Sequence, residues 1–109
     1  MRVFISQPMS GEEEKYILAT RERVKRNIFK LLGEDVEIID NYFTDDFRHS
    51  LEMEEKDVRQ FDLFWLAESL AYLSEADIIY MCDGWENSKG CNIEFECAKK
   101  YGIDICFEK

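Results

Sequence analysis

The run ADIIYMC, Ala76 to Cys82, is apolar almost without a break. A strand with one face in water alternates polar and apolar residues, whereas an unbroken apolar run belongs to a strand covered on both faces, as in parallel α/β sheets. Three further short runs share this bias: RVFIS (Arg2 to Ser6), VEIID (Val36 to Asp40) and IDICF (Ile103 to Phe107). The segments between them have a helical period. Ile17, Val24, Ile28 and Leu31 recur on one face, with Arg21, Arg23, Lys25 and Lys30 mostly outside it. Glu12, Glu13 and Glu14 fall in the first turn of that helix, where the macrodipole favours acids, and Gly33 supplies its stop.

Asp57 to Ser74 sets Leu63, Leu66, Leu70 and Leu73 in a core stripe, with Phe61, Phe64, Trp65 and Tyr72 around its sides. SKGCNIEFECAKKYG, starting at Ser88, is a third helix. Asn41 to Lys56 is charged and irregular, with Tyr42, Phe43 and Phe47 embedded in it; that length implies a lid or a loop carrying a short helix. The order β-α-β-α-β-α-β predicts a Rossmann- or flavodoxin-like three-layer α/β sandwich. Its four-stranded parallel sheet is joined by right-handed crossovers.

At 109 residues the chain is one domain, spanning 1–109, with room for a single core. The N-terminal apolar run is too short for a signal peptide. No stretch approaches the roughly 20 apolar residues of a membrane span, so a cytoplasmic protein is expected. A net charge of -10 argues against binding a nucleic-acid backbone, which requires cationic side chains. It permits a single nucleotide held by backbone N–H groups, and leaves open an acidic interaction protein or DNA mimic. Cys82, Cys91, Cys97 and Cys106 form no CxxC pair and His49 is the only histidine, which makes zinc a weak expectation. The thiols are expected to be reduced and mostly buried, with Cys91 the most reactive because it lies in a loop.

Ligands of parallel sheets bind beyond the carboxyl ends of the strands. That rule selects three loops: Ser6, Gln7, Pro8, Met9, Ser10 and Gly11; then Asp40, Asn41 and Tyr42; then Asp83 to Gly90. The first joins a strand to a helix, so its amides can face an anion, with Ser6 and Ser10 adding hydroxyls. It lacks the glycine spacing of a phosphate-binding or dinucleotide loop, and an ordinary turn explains it equally well. In the third loop Gly84 precedes Trp85, which can stack on a base or cap the core. Asp40, Asn41, Asp83 and Glu86 can each hydrogen-bond a base or sugar. Gly90 allows close backbone approach and an unusual φ. Glu94 is expected in the first turn of the third helix, capped from Ser88 or from Cys91 to Asn92, where the dipole stabilises its carboxylate. Helical spacing turns Glu96 about 200° away. Pattern alone leaves Glu94 either catalytic or an ordinary first-turn acid.

VFISQPMSG, LSEADIIYMCDGWENSKGCNIEFECAKKYGIDI and the distance between them resemble the nucleoside 2-deoxyribosyltransferase-like superfamily, which includes the 2'-deoxynucleoside 5'-phosphate N-hydrolases. The similarity is to a small phage and bacterial branch and covers all but the variable middle. It implies that Glu94 is a nucleophile attacking the anomeric carbon of a sugar, as in retaining glycoside cleavage. It also implies that Ser6, Gln7 and Ser10 hold phosphate or sugar, that Trp85 or Tyr42 holds the base, and that neither metal nor cofactor is needed. Relatives associate through their helices, so a homodimer or higher homo-oligomer is expected, with the aromatic second helix at the contact. Two positions depart from the superfamily pattern. Ser69 stands where an Asp is usual, and Gln7 where a Gly is usual. Loss of the partner carboxylate leaves open a non-catalytic binder of a nucleotide or signalling molecule.

Overall fold

The computed structural model describes residues 1–9, 12–39 and 58–108, with side chains in the last range from 63 onward. Asp40, Asn41, Tyr42, Ser10 and Gly11 lie outside the described residues, as do the side chain of Phe61 and the 41–56 segment. Strands β1 (Arg2–Ser6), β2 (Glu37–Ile39), β3 (Ile78–Met81) and β4 (Asp104–Phe107) form one sheet in the order β2-β1-β3-β4. All three pairings are parallel; Ser6 pairs with Met81 and Tyr80 with Cys106. Three α-helices are described: α1 (Glu14–Leu32), α2 (Val58–Leu73) and α3 (Lys89–Tyr101), with a short 3-10 turn at Trp85–Asn87. The protein is a Rossmann- or flavodoxin-like α/β sandwich. No helix among the described residues is long and apolar enough to cross a membrane.

Alternation along the strands divides the core. Val3, Ile5, Ile78, Tyr80 and Cys82 face α1, where Val24 and Ile28 cover them. Phe4, Ile79 and Met81 face the other way, against Leu73 of α2 and Cys91 and Ala98 of α3. The chain steps one way from β1 to β2 and the other way from β2 to β3 and β4. Crossovers of one hand therefore put α1 on one face and α2 with α3 on the other. The carboxyl ends of β1 and β3 flank the point where the direction reverses, which is where a crevice opens in such sheets.

Three expectations change. Arg21 lies on the buried face of α1, 2% exposed, because the buried line runs Ile17, Arg21, Val24, Ile28 in steps of four, three and four. Leu31 is 61% exposed; the next residue, Leu32, and Phe29 pack on the core instead. Leu63 is also exposed, whereas Leu70 and Leu73 further along α2 are packed. A 16-residue helix is about 24 Å long and a four-residue strand about 13 Å, so the early turns of α2 outrun the sheet.

Candidate functional site

The crevice is built by β1 and β3 ending side by side. The Cys82 N–H donates to the Ser6 carbonyl at 3.0 Å, which carries the ladder one residue past the strand. The chain after β3 then turns sharply. Gly84 adopts φ 87°, a left-handed conformation natural to glycine, and its α-carbon faces the ring of Pro8. The first and third loops thereby meet over the strand ends. Asn92 ties the second of them down, its amide donating to the carbonyls of Glu86 at 2.9 Å and Ser88 at 2.8 Å. Ser88 caps α3, its hydroxyl accepting the Cys91 N–H at 3.3 Å.

Glu94 points from α3 to the end of β1. Ser6 Oγ donates to Glu94 Oε1 at 2.7 Å, and the hydroxyl of Ser69 on α2, near the same carboxyl, also favours its ionised form. Glu94 is 6% exposed and Ser6 fully buried, while Glu96 on the far side of the helix is in solvent. The helix begins at Lys89, so Glu94 sits in its second turn rather than its first, beyond the free N–H groups. Burial therefore governs its protonation. Loss of water pushes the carboxyl up from 4.5 to about 7, against the lowering effect of the two serine hydroxyls. The expectation of a dipole-stabilised, fully ionised carboxylate is corrected by this position. Gly90, likewise, is helical with no unusual φ; a methyl there would touch Leu66 of α2 at 4.0 Å.

Cys91, expected to be reactive, is 2% exposed with its thiol pKa raised by burial, so it is inert as a nucleophile. Its place in the first turn of α3, and not in the loop, removes it from solvent. All four cysteines are free. Trp85 packs its ring on Phe95 at 4.7 Å and on Phe107 at 5.8 Å between centroids. It joins the α2–α3 side of the core, the capping role that its position also allowed.

A separate cavity of about 170 Å³ opens on the α1 side of the same strand ends. Gln7, Pro8 and Asp83 line it together with Tyr16, Thr20 and Arg23, and Glu94 does not. Gln7 turns to this side. Its Nε2 donates to the Ile17 carbonyl at 3.0 Å and its Oε1 accepts from Arg21 at 3.4 Å. Both ends of the amide are thus engaged by α1. The structure therefore brings Ser6, Ser69, Ser88 and Glu94 together on one face, and Gln7, Pro8 and Asp83 on the other.

A family model described as "Domain of unknown function (DUF4406)" matches residues 1–107. The chain belongs to the DUF4406 family. No curated protein matches it in sequence. In this DUF4406 protein two site-forming residues carry no sequence signal of their role. Glu108, just past the last strand, accepts the Asp83 N–H at 2.8 Å, pairs with Arg23 at 3.3 Å, and has a side chain only 2% exposed. Arg21 reads as a surface cation until the helix phase is known. Among the described residues of the DUF4406 chain, no group of three or more His, Cys, Asp or Glu is placed to hold a metal ion.

Proposed function

We propose that the protein cleaves or transfers the N-glycosidic bond of a nucleoside or (deoxy)nucleotide, with Glu94 as the reacting carboxylate. The observation that carries this reading is the Ser6–Glu94 hydrogen bond, a buried 2.7 Å contact at the reversal point of the sheet. Among the described residues, no ion pair involves this carboxyl. It is desolvated at a cost, which is characteristic of groups kept for chemistry. The resemblance of the Trp85–Glu94 segment to the deoxyribosyltransferase-like superfamily supplies the substrate class.

In the reaction a Glu94 carboxylate oxygen bonds to the anomeric carbon as the C–N bond breaks, and the base leaves with the electron pair and takes a proton from water. Water, or the base of an acceptor, then attacks the same carbon and releases the carboxylate. The hydroxyls of Ser6 and Ser69 hold the carboxylate in line and keep part of it ionised at neutral pH. Serine in place of the usual Asp at position 69 supports a second reading, a nucleotide binder with slow or no turnover. A cytoplasmic setting suits the free thiols, and a homodimer contact on α2 suits the exposed Leu63 beside half-buried Phe64 and Trp65.

A panel of nucleosides and nucleoside monophosphates, followed by chromatography of the free base, tests the reading with wild type and Glu94→Gln side by side. Base release that vanishes in the variant is the expected result. Tight binding with no release by wild type selects the binder. Release that survives Glu94→Gln rules out Glu94.

A further inference from the structure

The walls of the α1-side cavity are fixed by contacts that do not involve Glu94. The α1 wall is tied to the first loop through the Gln7 amide, which bonds Ile17 and Arg21. The facing wall, the turn after β3, is held by Glu108. Its Oε1 accepts the Asp83 N–H at 2.8 Å, and its Oε2 pairs with Arg23 of α1 at 3.3 Å. The Glu108 side chain, only 2% exposed, thus links that turn to α1. A methyl at Gly84 would touch the Pro8 ring at 3.8 Å, so the two loops meet above the strand ends. Walls held in this way need no rearrangement to take a ligand, which lowers the cost of binding.

Size and lining restrict the occupant. A cavity of roughly 150 Å³ accepts a benzene-sized ring, so the space of about 170 Å³ here suits one small ring. Among the described residues lining it, Glu12, Asp83 and Glu108 supply carboxylates and Arg23 the cation. Glu108 already neutralises that cation, so an anion would meet net negative charge. A second cation would have to share the space with the Arg23 guanidinium. An uncharged ligand avoids both conflicts. It can donate to the carboxylates of Glu12 and Asp83, both exposed residues, and accept from the N–H groups of half-exposed Arg23. Tyr16 and Thr20 add hydroxyls able to do either, and Pro8 and Ile17 add apolar surface. Donors and acceptors arranged around one small ring with an apolar side suit a sugar.

We propose that this cavity binds a small uncharged polyhydroxyl ring, a pentose that is either free or carried by a nucleoside. Glu12 and Asp83 accept from its hydroxyls, as an acidic residue does from ribose in dinucleotide sites. Arg23 and Thr20 donate to its oxygens. Glu108 holds Arg23 and the Asp83 backbone in place for this. The site lies across the strand ends from Glu94, and its occupancy rests on no reaction there.

Amide 1H–15N NMR of the full chain, titrated with ribose, uridine and uracil, tests the site. Ribose or uridine is expected to move the signals of Thr20, Asp83 and Gly84. The Kd for ribose should be roughly millimolar, which about ten ligand atoms give at ordinary ligand efficiency. Asp83→Asn should weaken binding about tenfold, since it removes a charged acceptor but keeps the N–H that Glu108 holds. Thr20→Val, which loses a hydroxyl but keeps the shape, should weaken it several-fold. Glu94→Gln should leave it unchanged. Uridine that binds tighter than ribose assigns the sugar to a nucleoside, and equal or weaker uridine assigns a free pentose. The site is overturned if neither sugar moves these signals at its highest soluble concentration, or if both variants bind like wild type. Uracil that binds as tightly as uridine also overturns it, as does affinity lost in Glu94→Gln. Base release, present or absent, leaves each of these results intact.

Discussion

Ser6 and Glu94, 88 residues apart in the chain, meet through a buried 2.7 Å hydrogen bond where β1 ends and α3 passes over it. A serine at the last position of a core strand and a carboxylic acid on the inner face of a helix would each, alone, weaken the packing. Together they satisfy one hydrogen bond and leave an acid that titrates near neutrality.

Removing the Ser6 hydroxyl is expected to raise the Glu94 midpoint further, because the bond favours the ionised form. A hydrogen bond to a charged group contributes about 1.5–3 kcal/mol, so Ser6→Ala should move the midpoint up by roughly one to two units. Carboxyl NMR titration of the variant measures it. A downward shift would show that the hydroxyl does not donate to the carboxylate.

Glu94 also makes stability depend on pH in a direction opposite to most carboxylates. Its folded pKa, about 7, lies above the ordinary 4.5, so the folded state binds the extra proton between those values. The stability it contributes is fully present below about 4.5 and is lost as pH rises through 7. Glu94→Gln should therefore gain on wild type as pH increases, by about 3 kcal/mol at most on the alkaline side, and match it in acid. Urea unfolding at several pH values shows this; a gap that does not widen with pH would contradict the burial cost. Base release should rise with pH over the same window, since the attacking group must be ionised.

Ser69 offers a gain-of-function test. With Asp at position 69 a second carboxyl would stand beside Glu94, and the two would titrate as a coupled pair. If the absent carboxylate limits turnover, Ser69→Asp should raise base release several-fold. An unchanged rate in a variant that folds and binds would show that Ser69 is not the limiting position.

Trp85 should matter more to stability than to ligand affinity. Its ring packs on Phe95 and Phe107 and closes the α2–α3 side of the core. Trp85→Ala is expected to cost about 2–4 kcal/mol in urea unfolding, toward the lower part of the range for large aromatic truncations because the ring is half-buried. A loss of ligand affinity at unchanged stability would instead make it a base platform.

Exposed Leu63 of α2 bears on assembly. Light scattering at micromolar concentration should give a dimer mass that Leu63→Glu reduces to the monomer, since a charge there cannot be buried across an apolar contact. A monomeric wild type would remove α2 as an interface.

Strand and helix identities could be read from the chain because they rest on local periodicity. The nearly continuous apolar run at Ala76–Cys82 called for a strand covered on both faces, and Ile78–Met81 is buried at every position. The right-handed alternation of strands and helices then left few topologies. Separating Glu94 from Glu96 needed only the helical angle. Periodicity says which side of an element is apolar, but not how far its neighbour extends, so Leu31 and Leu63 looked like core and are solvent-exposed. It cannot say where a helix will begin to within a turn either, and that one turn moved Glu94 out of reach of the helix dipole and into the dry space beneath Ser6. The protonation of Glu94 and the burial of Arg21 against Gln7 were decided only by the tertiary structure. Each depends on desolvation, and how much water a side chain loses is set by chain segments far away in sequence.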